Sequence, residues 1–219
     1  MPQSTKKSKA TSYSRSLKQI KAGADAALSR KQAAREVTLP ISRSVIQRCA
    51  NSIRATHRGE YKEAHALLKE VVALLHEAEE ALKNHPDLYY AGFIEDAQKE
   101  FAEASVMLAV AEGNPIPRPE DLGVGYPPYL NGLGEAVGEM RRYILDALRH
   151  DDTSRCEEIL DIMDEAYTLL VTIDYPDALT RGLRRTTDMV RGVLERTRGD
   201  LTVAIRQRSL EQKLMKLSK

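Results

Sequence analysis

The sequence contains no tryptophan, two phenylalanines and two cysteines, and these scarcities exclude several classes of protein. Two cysteines are too few for a disulfide framework, and neither has a partner at Cys-x-x-Cys spacing. No uninterrupted run of about 18 apolar residues occurs, so we expect no membrane span. The N-terminal lysines also lack the apolar stretch that follows them in a signal peptide. We therefore expect a cytoplasmic protein with two buried thiols.

The familiar catalytic motifs are absent as well. The chain has no Gly-rich phosphate loop, no His-Glu-x-x-His and no Gly-x-Ser-x-Gly. Its five histidines are scattered, and no two of them lie four residues apart as metal ligands on one helix would. We interpret each histidine as a surface or partly buried helix residue. Any chemistry therefore has to come from carboxylates, alone or through a metal ion.

What the chain does contain predicts an all-α fold. Charged residues make up 30% of the 219 residues and aromatic residues 5%, a balance typical of helical proteins. Apolar residues recur at helical spacing, and no β alternation of useful length occurs. We predict a single-domain antiparallel bundle of about seven helices with short connections. The predicted helices lie at about 14–35, 40–59, 61–83, 87–112, 131–149, 154–172 and 177–198, with 200–217 as an eighth helix or an extension.

The two ends of the chain differ from the middle in composition. Residues 1–31 carry eight basic side chains against one acidic side chain, Asp25. We predict a disordered basic arm over residues 1–13, a helical extension over 14–35 and the folded domain over 36–217. The arm either neutralises phosphates or only keeps the chain soluble. Residues 113–129 hold five prolines and three glycines, which predicts one long loop.

The most informative feature is a pair of glutamates, Glu100 and Glu103, on a helix that otherwise becomes apolar. Residues three apart share one face of a helix, and carboxylates that run into a core need a proton, a partner or a metal ion. Glu135 and Glu139 form a second pair on a later helix. Carboxylate oxygens from two helices suit Mg²⁺ or Mn²⁺. The second pair can equally belong to a solvated helix face, and acidic pairs at these spacings also occur elsewhere in the chain.

Several segments, in order, resemble the translin/Trax family. The resemblance covers roughly residues 35–200, without the arm and the tail. Gln98 to Ala104 is similar to the family's Q-E-aromatic-x-E-A segment, and Gly132 to Arg142 to its helix with an L-T-G-E-L-x-R stretch. The first core helix and the end of the seventh helix also match. Their matching residues are Ile41-Ser42-Arg43, Ser52-Ile53, His57-Arg58 and Arg198-Gly199.

The resemblance implies an activity and a set of residues for it. Trax-type members of the family are metal-dependent endoribonucleases, whereas translin-type members bind nucleic acid without the full acidic set. Glu100 and Glu103 match the Trax-type catalytic pair, and Glu135 stands where the family usually has aspartate. These three residues are expected to be catalytic and to hold Mg²⁺ or Mn²⁺. Glu139 is expected to be a fourth ligand or to orient a water molecule.

The family assembles into hollow oligomers, and this assembly sets the expected partners. We expect a homo-oligomer, an octamer by analogy, that cleaves single-stranded RNA (or single-stranded DNA) in its chamber and needs no separate translin partner. One alternative is a non-catalytic nucleic-acid-binding scaffold of translin type. Another is a structural oligomer in which Glu100 and Glu103 form buried salt bridges. From their charge and placement, we predict that five arginines contact RNA: Arg43, Arg54, Arg58, Arg141 and Arg142.

Overall fold

A computed structural model describes residues 4–217 of the chain, with side chains from residue 13 onward. Within that range the protein is all-α, as predicted, and no strand occurs. Six long helices are joined by short connections that contain three helices of a single turn. The helices are α1 (Ser4–His57), α2 (Tyr61–Leu82), α3 (Pro86–Tyr89), α4 (Phe93–Glu112), α5 (Pro119–Leu122), α6 (Tyr126–Arg149), α7 (Cys156–Thr172), α8 (Asp177–Thr180) and α9 (Leu183–Leu217).

Helices α4 and α6 form the centre of the bundle. Helix α4 packs against α1, α2 and α6, and α6 packs in turn against α7 and α9. Helix α4 is apolar around most of its circumference, which suits a helix enclosed by neighbours. Glu100 and Glu103 lie on this central helix and are only partly exposed. Its buried apolar side chains are Ile94, Ala97, Phe101, Ala102, Ala104, Val106, Met107, Leu108, Val110 and Ala111.

Helix α1 continues through Pro40, where the sequence predicted the start of a separate helix. Proline inside a helix removes one backbone hydrogen bond and costs about 3 kcal/mol. Contacts on both sides of the proline hold the helix together. The buried Thr38 donates its hydroxyl hydrogen to the carbonyl of Ala34 at 2.9 Å. The hydroxyl of Ser42 donates to the carbonyl of Phe93 on α4 at 2.7 Å.

The N-terminal part of α1 also differs from the prediction. The backbone is helical from Ser4, whereas a disordered arm was predicted over residues 1–13; residues 1–3 lie outside the described range. Serine and threonine are weaker helix formers than lysine and alanine and slightly outnumber them there, so local propensity does not account for this helix. No break separates residues 14–35 from the bundle, and the division of the chain into arm, extension and domain stays a prediction. Four apolar side chains on this part of α1 are 63–67% exposed: Tyr13, Leu17, Ile20 and Leu28.

The predicted long loop at residues 113–129 is partly helical. It contains α5, and α6 begins at Tyr126 instead of Asn131. Pro127 and Pro128 fit the first turn of α6 because backbone N–H groups there have no partner inside the helix. Asn131, the predicted start of this helix, is a buried residue of its second turn.

Three other helix boundaries also differ from the prediction. Between α3 and α4 the chain bends at Gly92, whose φ of 103° suits glycine, so the helix predicted from Asp87 begins at Phe93. Helix α7 begins at Cys156, two residues after its predicted start. Helix α9 runs through Gly199 to Leu217, so the tail is an extension. Among the described helices, none is both long and apolar enough to span a membrane.

Candidate metal centre

Three carboxylates from two helices meet at the centre of the bundle. Glu100 and Glu103 of α4 and Glu135 of α6 each place one oxygen within 4.8 Å of the other two. We call these three residues the acidic cluster. Oxygens around one octahedral Mg²⁺ at about 2.1 Å are roughly 3–4.2 Å apart. Small side-chain rotations would therefore bring the three oxygens to ligand distance around a single ion.

Gly132 explains why α6 comes so close to α4. A Cβ atom at this position would lie 2.4 Å from the carbonyl oxygen of Lys99 and 3.0 Å from the amide nitrogen of Glu103. Only glycine permits this approach of one helix to the backbone of the other. Glu135 lies three residues further along α6 and therefore on the same face. The glycine thus brings Glu135 to the pair on α4.

The acidic cluster is electrostatically strained without a cation. Burial raises the pKa of Glu103 to about 8, and the negative charges of Glu100, Glu135 and Glu139 add to the rise. The pKa of Glu100 is also raised, mainly by burial, although the nearby Lys99 opposes the shift. Carboxylates in this state bind either a proton or a positive ion. A divalent cation suits the site, because three oxygen ligands at close range are what Mg²⁺ and Mn²⁺ prefer.

Lys99 supplies one positive charge to the acidic cluster, a role that the sequence analysis did not predict. Its Nζ lies 2.7 Å from Oε1 of Glu135 and 3.5 Å from Oε1 of Glu100. Burial lowers the pKa of Lys99, but the two carboxylates more than offset this and raise it. The ammonium group therefore stays charged and partly neutralises the cluster.

Glu139 lies beside the acidic cluster, outside the group of three. Its Oε2 is 2.5 Å from Nε2 of His57, at the end of α1, and 3.5 Å from Nη1 of Arg142. The hydrogen bond from His57 holds the pKa of Glu139 below its ordinary value, against the effect of burial. The side chain of His57 is only 6% exposed. His57 is thus a partly buried helix residue, as predicted, but its contact with Glu139 was not predicted.

Cys49 of α1 is also buried near the acidic cluster. Burial raises the pKa of its thiol, and the charges of Glu100 and Glu103 raise it further. The thiol therefore stays protonated at neutral pH. A protonated thiol is neither a good nucleophile nor a good metal ligand.

A cleft of about 750 Å³ adjoins the acidic cluster, and its lining includes Glu135 and the neighbouring Lys99. Arg181 and Arg185 lie on another wall, contributed by the turn between α8 and α9 and the start of α9. Arg181 has a φ of 54°, which a side chain other than glycine adopts at a cost. Its guanidinium lies 2.8 Å from Oε2 of Glu95. We call this space the α8–α9 cleft.

The five arginines predicted to contact RNA do not form one surface patch of free charges. Arg58 pairs with Glu60 and Glu63, and Arg141 donates to Asp200 and Thr197. Arg142 is the one of the five that contacts the site, through Glu139. Arg54 donates to the side chain of Asn51, and Arg43 is exposed. Their role in RNA binding stays a prediction.

The chain was compared with known sequences, and no family model matches it. It is 30% identical to an uncharacterised protein of Methanocaldococcus jannaschii over 195 residues, which is 87% of this chain and 85% of that protein. The relative is matched over most of its length.

Solved structures give a clearer assignment. The structure of an AfC3PO–duplex RNA complex has a TM-score of 0.79 and 34% identity, and the match covers 85% of this chain and 97% of that chain. The crystal structure of AfC3PO has a TM-score of 0.78 and 33% identity, and the match covers the same shares of the two chains. The crystal structure of apo-NeC3PO shares the fold, with a TM-score of 0.72 and 23% identity. That match covers 86% of this chain and 96% of that chain. C3PO assemblies are translin/Trax complexes, and the predicted resemblance is confirmed. The chain belongs to the translin/Trax family.

Proposed function

We propose that the protein is a metal-dependent endoribonuclease that hydrolyses single-stranded RNA. The observation that carries the proposal is the acidic cluster itself. Three carboxylates lie within 4.8 Å of one another in a half-buried site, and the pKa of Glu103 is raised to about 8. Such a site has a strong preference for a cation, and hard oxygen ligands favour Mg²⁺ or Mn²⁺.

Glu100, Glu103 and Glu135 would hold the ion. A bound Mg²⁺ or Mn²⁺ supplies Lewis-acid stabilisation of a phosphate and lowers the pKa of water. The chain itself supplies the orientation of the ligands. Gly132 fixes the distance between the two helices, and Lys99 neutralises part of the charge of Glu135 through their 2.7 Å contact. Glu139, the fourth acidic residue of the prediction, lies beside the three as a group that can orient the attacking water.

The α8–α9 cleft is the proposed path of the RNA strand. Its volume of about 750 Å³ suits one or two nucleotides, and it opens beside the acidic cluster. Arg185 lines it without a hydrogen bond or ion pair among the described side chains, so its charge is available to a phosphate. The relative AfC3PO has been solved with duplex RNA, which supports RNA as the class of ligand.

The protein is further proposed to act as a homo-oligomer, an octamer with the sites inside, and without a separate translin partner. The exposed apolar side chains along the N-terminal part of α1 support contacts between copies, since a lone chain gains nothing by exposing them. Both cysteines are free and buried, which fits the reducing cytoplasm as the place of action.

One observation favours the second candidate, a nucleic-acid-binding scaffold of translin type. Glu135, which is longer than the family's aspartate by one methylene, already has a cationic partner in Lys99. If this ion pair replaces the metal ion, RNA binds but is not cut. The two candidates therefore differ in their dependence on a divalent cation.

Glu100→Gln separates the candidates because glutamine keeps the shape of the side chain and removes its charge. Labelled single-stranded RNA, duplex RNA and single-stranded DNA are incubated with the protein in Mg²⁺, in Mn²⁺ and in EDTA. We expect the wild-type protein to cleave single-stranded RNA only when a metal ion is present. The cleavage rate of the variant should be lower by about a hundredfold or more. Glu80→Gln, at an exposed site on α2, is the control.

Native mass spectrometry of both variants checks that the assembly is unchanged. Binding of RNA without metal-dependent cleavage by the wild-type protein would refute the endoribonuclease and support the scaffold. Cleavage by Glu100→Gln at the wild-type rate would show that activity arises outside the acidic cluster.

A further inference from the structure

We propose that His57 is a positioning residue for hydrolysis, which acts by fixing the carboxylate of Glu139 beside the acidic cluster. The proposal rests on the endoribonuclease function above and adds a residue to it. His57 ends α1, whereas Glu139 is on α6, one turn beyond Glu135. The contact therefore joins two helices at the edge of the site.

The geometry determines which group donates. Nε2 of His57 and Oε2 of Glu139 are 2.5 Å apart, and the histidine side chain is almost fully buried. An ionised carboxylate has no hydrogen to give, so Nε2 of His57 carries the hydrogen and donates it. A buried, charge-assisted hydrogen bond of this kind fixes the orientation of a flexible glutamate.

The two oxygens of Glu139 are used differently. Oε2 takes both neighbouring donors, His57 at 2.5 Å and Arg142 at 3.5 Å. Among the described residues, Oε1 accepts no hydrogen bond. The charge of Glu139 nevertheless acts on Glu103 of the acidic cluster, so the carboxylate is close to the reacting centre. Oε1 is thus left for a water molecule.

The step that this arrangement serves is the attack of water on the phosphodiester. Oε1 of Glu139 accepts a proton from the water as the water oxygen forms a bond to phosphorus. The bond between phosphorus and the leaving ribose oxygen breaks, and that oxygen takes a proton from solvent water. Glu139 then releases its proton to solvent, which restores the starting state. His57 touches no reacting atom and acts only through Glu139.

A second histidine offers a matched control. His65 of α2 also contacts a glutamate, with 2.9 Å between its Nε2 and Oε2 of Glu112, but its side chain is 60% exposed. His65→Leu removes a pair of the same type away from the site. His57→Leu removes the donor to Glu139, and His57→Gln restores a donor at a similar reach.

The experiment measures kcat and KM of Mg²⁺-dependent cleavage of single-stranded RNA. We expect His57→Leu to lower kcat by roughly 10- to 100-fold, the usual effect of losing a residue that orients a metal-site group, with little change in KM. His57→Gln should recover most of kcat, and His65→Leu should match the wild-type protein. In a Glu139→Gln background, His57→Leu should have no further effect, since its partner is already lost.

Each result has a clear consequence. An unchanged kcat in His57→Leu overturns the proposal, as does an undiminished effect of His57→Leu in the Glu139→Gln background. A loss that His57→Gln does not restore, together with a lower melting temperature, means that His57 only holds α1 to α6. If the wild-type protein does not cleave RNA with Mg²⁺, both the proposed function and this inference fail. If the wild-type protein cleaves RNA and the His57→Leu variant cleaves it equally well, only the inference is refuted.

Discussion

Replacing Glu103 by glutamine is expected to make the stability of the metal-free protein less dependent on pH. The pKa of Glu103 in the folded protein is about 8, because the side chain is buried among Glu100, Glu135 and Glu139. Its ordinary pKa is 4.5, which applies in the unfolded chain. Between these two values the folded state holds a proton that the unfolded state has lost. The free energy of unfolding therefore falls as the pH rises through this window.

The size of the effect follows from the two pKa values. Each pH unit of difference in protonation is equivalent to about 1.4 kcal/mol. From about pH 5 to about pH 8, Glu103 alone should lower the free energy of unfolding by about 3 kcal/mol. Glutamine at this position has no proton to lose, so this part of the pH dependence should disappear. Mg²⁺ should remove it from the wild-type protein as well, because the ion neutralises the ionised cluster.

Urea unfolding at a series of pH values, in EDTA and in excess Mg²⁺, measures these differences. The protein concentration has to be fixed, since the stability of an oligomer depends on it. Glu80→Gln, an exposed change on α2, shows how much of any shift comes from net charge alone. Equal pH slopes for the wild type and Glu103→Gln in EDTA would refute the reasoning, as would a Mg²⁺ effect of the same size in both.

Two further substitutions test how the site is built. Gly132→Ala places a Cβ 2.4 Å from the carbonyl oxygen of Lys99, so it should lower the free energy of unfolding by about 1–3 kcal/mol and weaken Mg²⁺ binding. Gly138→Ala is the control, because its Cβ would have nothing within 4 Å. In thermal unfolding, this control should be as stable as the wild-type protein or more stable. Lys99→Gln removes the cation next to Glu135 and should tighten Mg²⁺ binding by roughly tenfold in calorimetry, because a charged hydrogen bond contributes about 1.5–3 kcal/mol. Weaker binding in Lys99→Gln, or no change relative to the exposed control Lys83→Gln, contradicts that expectation.

Local patterns predicted the helices and one half of the site. The spacing of Glu100 and Glu103 predicted a shared helix face because it depends only on the helical repeat. Glu135 was first noted with Glu139 as a second acidic pair, but only the family resemblance distinguished it from a solvated helix residue. Gly132 carried a signal that could have been used. A glycine in a helix, one turn before an acidic residue, indicates a close approach to another backbone.

The residues around the acidic cluster could not be predicted in the same way. His57 is more than 80 positions from Glu139 in the chain, and its role depends on burial that only the packing of α1 against its neighbouring helices provides. Pro40 misled the prediction for a related reason. Its cost is local, whereas the hydrogen bond from Ser42 to the carbonyl of Phe93 anchors the helix just beyond the proline to α4. Tertiary contacts decided both cases.

Helix α1 also determines the shape that one copy has in solution. Its 54 residues at about 1.5 Å each span about 80 Å. A compact chain of 219 residues has a radius of gyration of only about 17 Å. A single copy is therefore a globular body with a projecting rod, and the rod sets its maximum dimension in small-angle scattering. In the proposed homo-oligomer, packing of copies around one another's rods would make mass increase faster than maximum dimension, so the particle would become rounder as it grows.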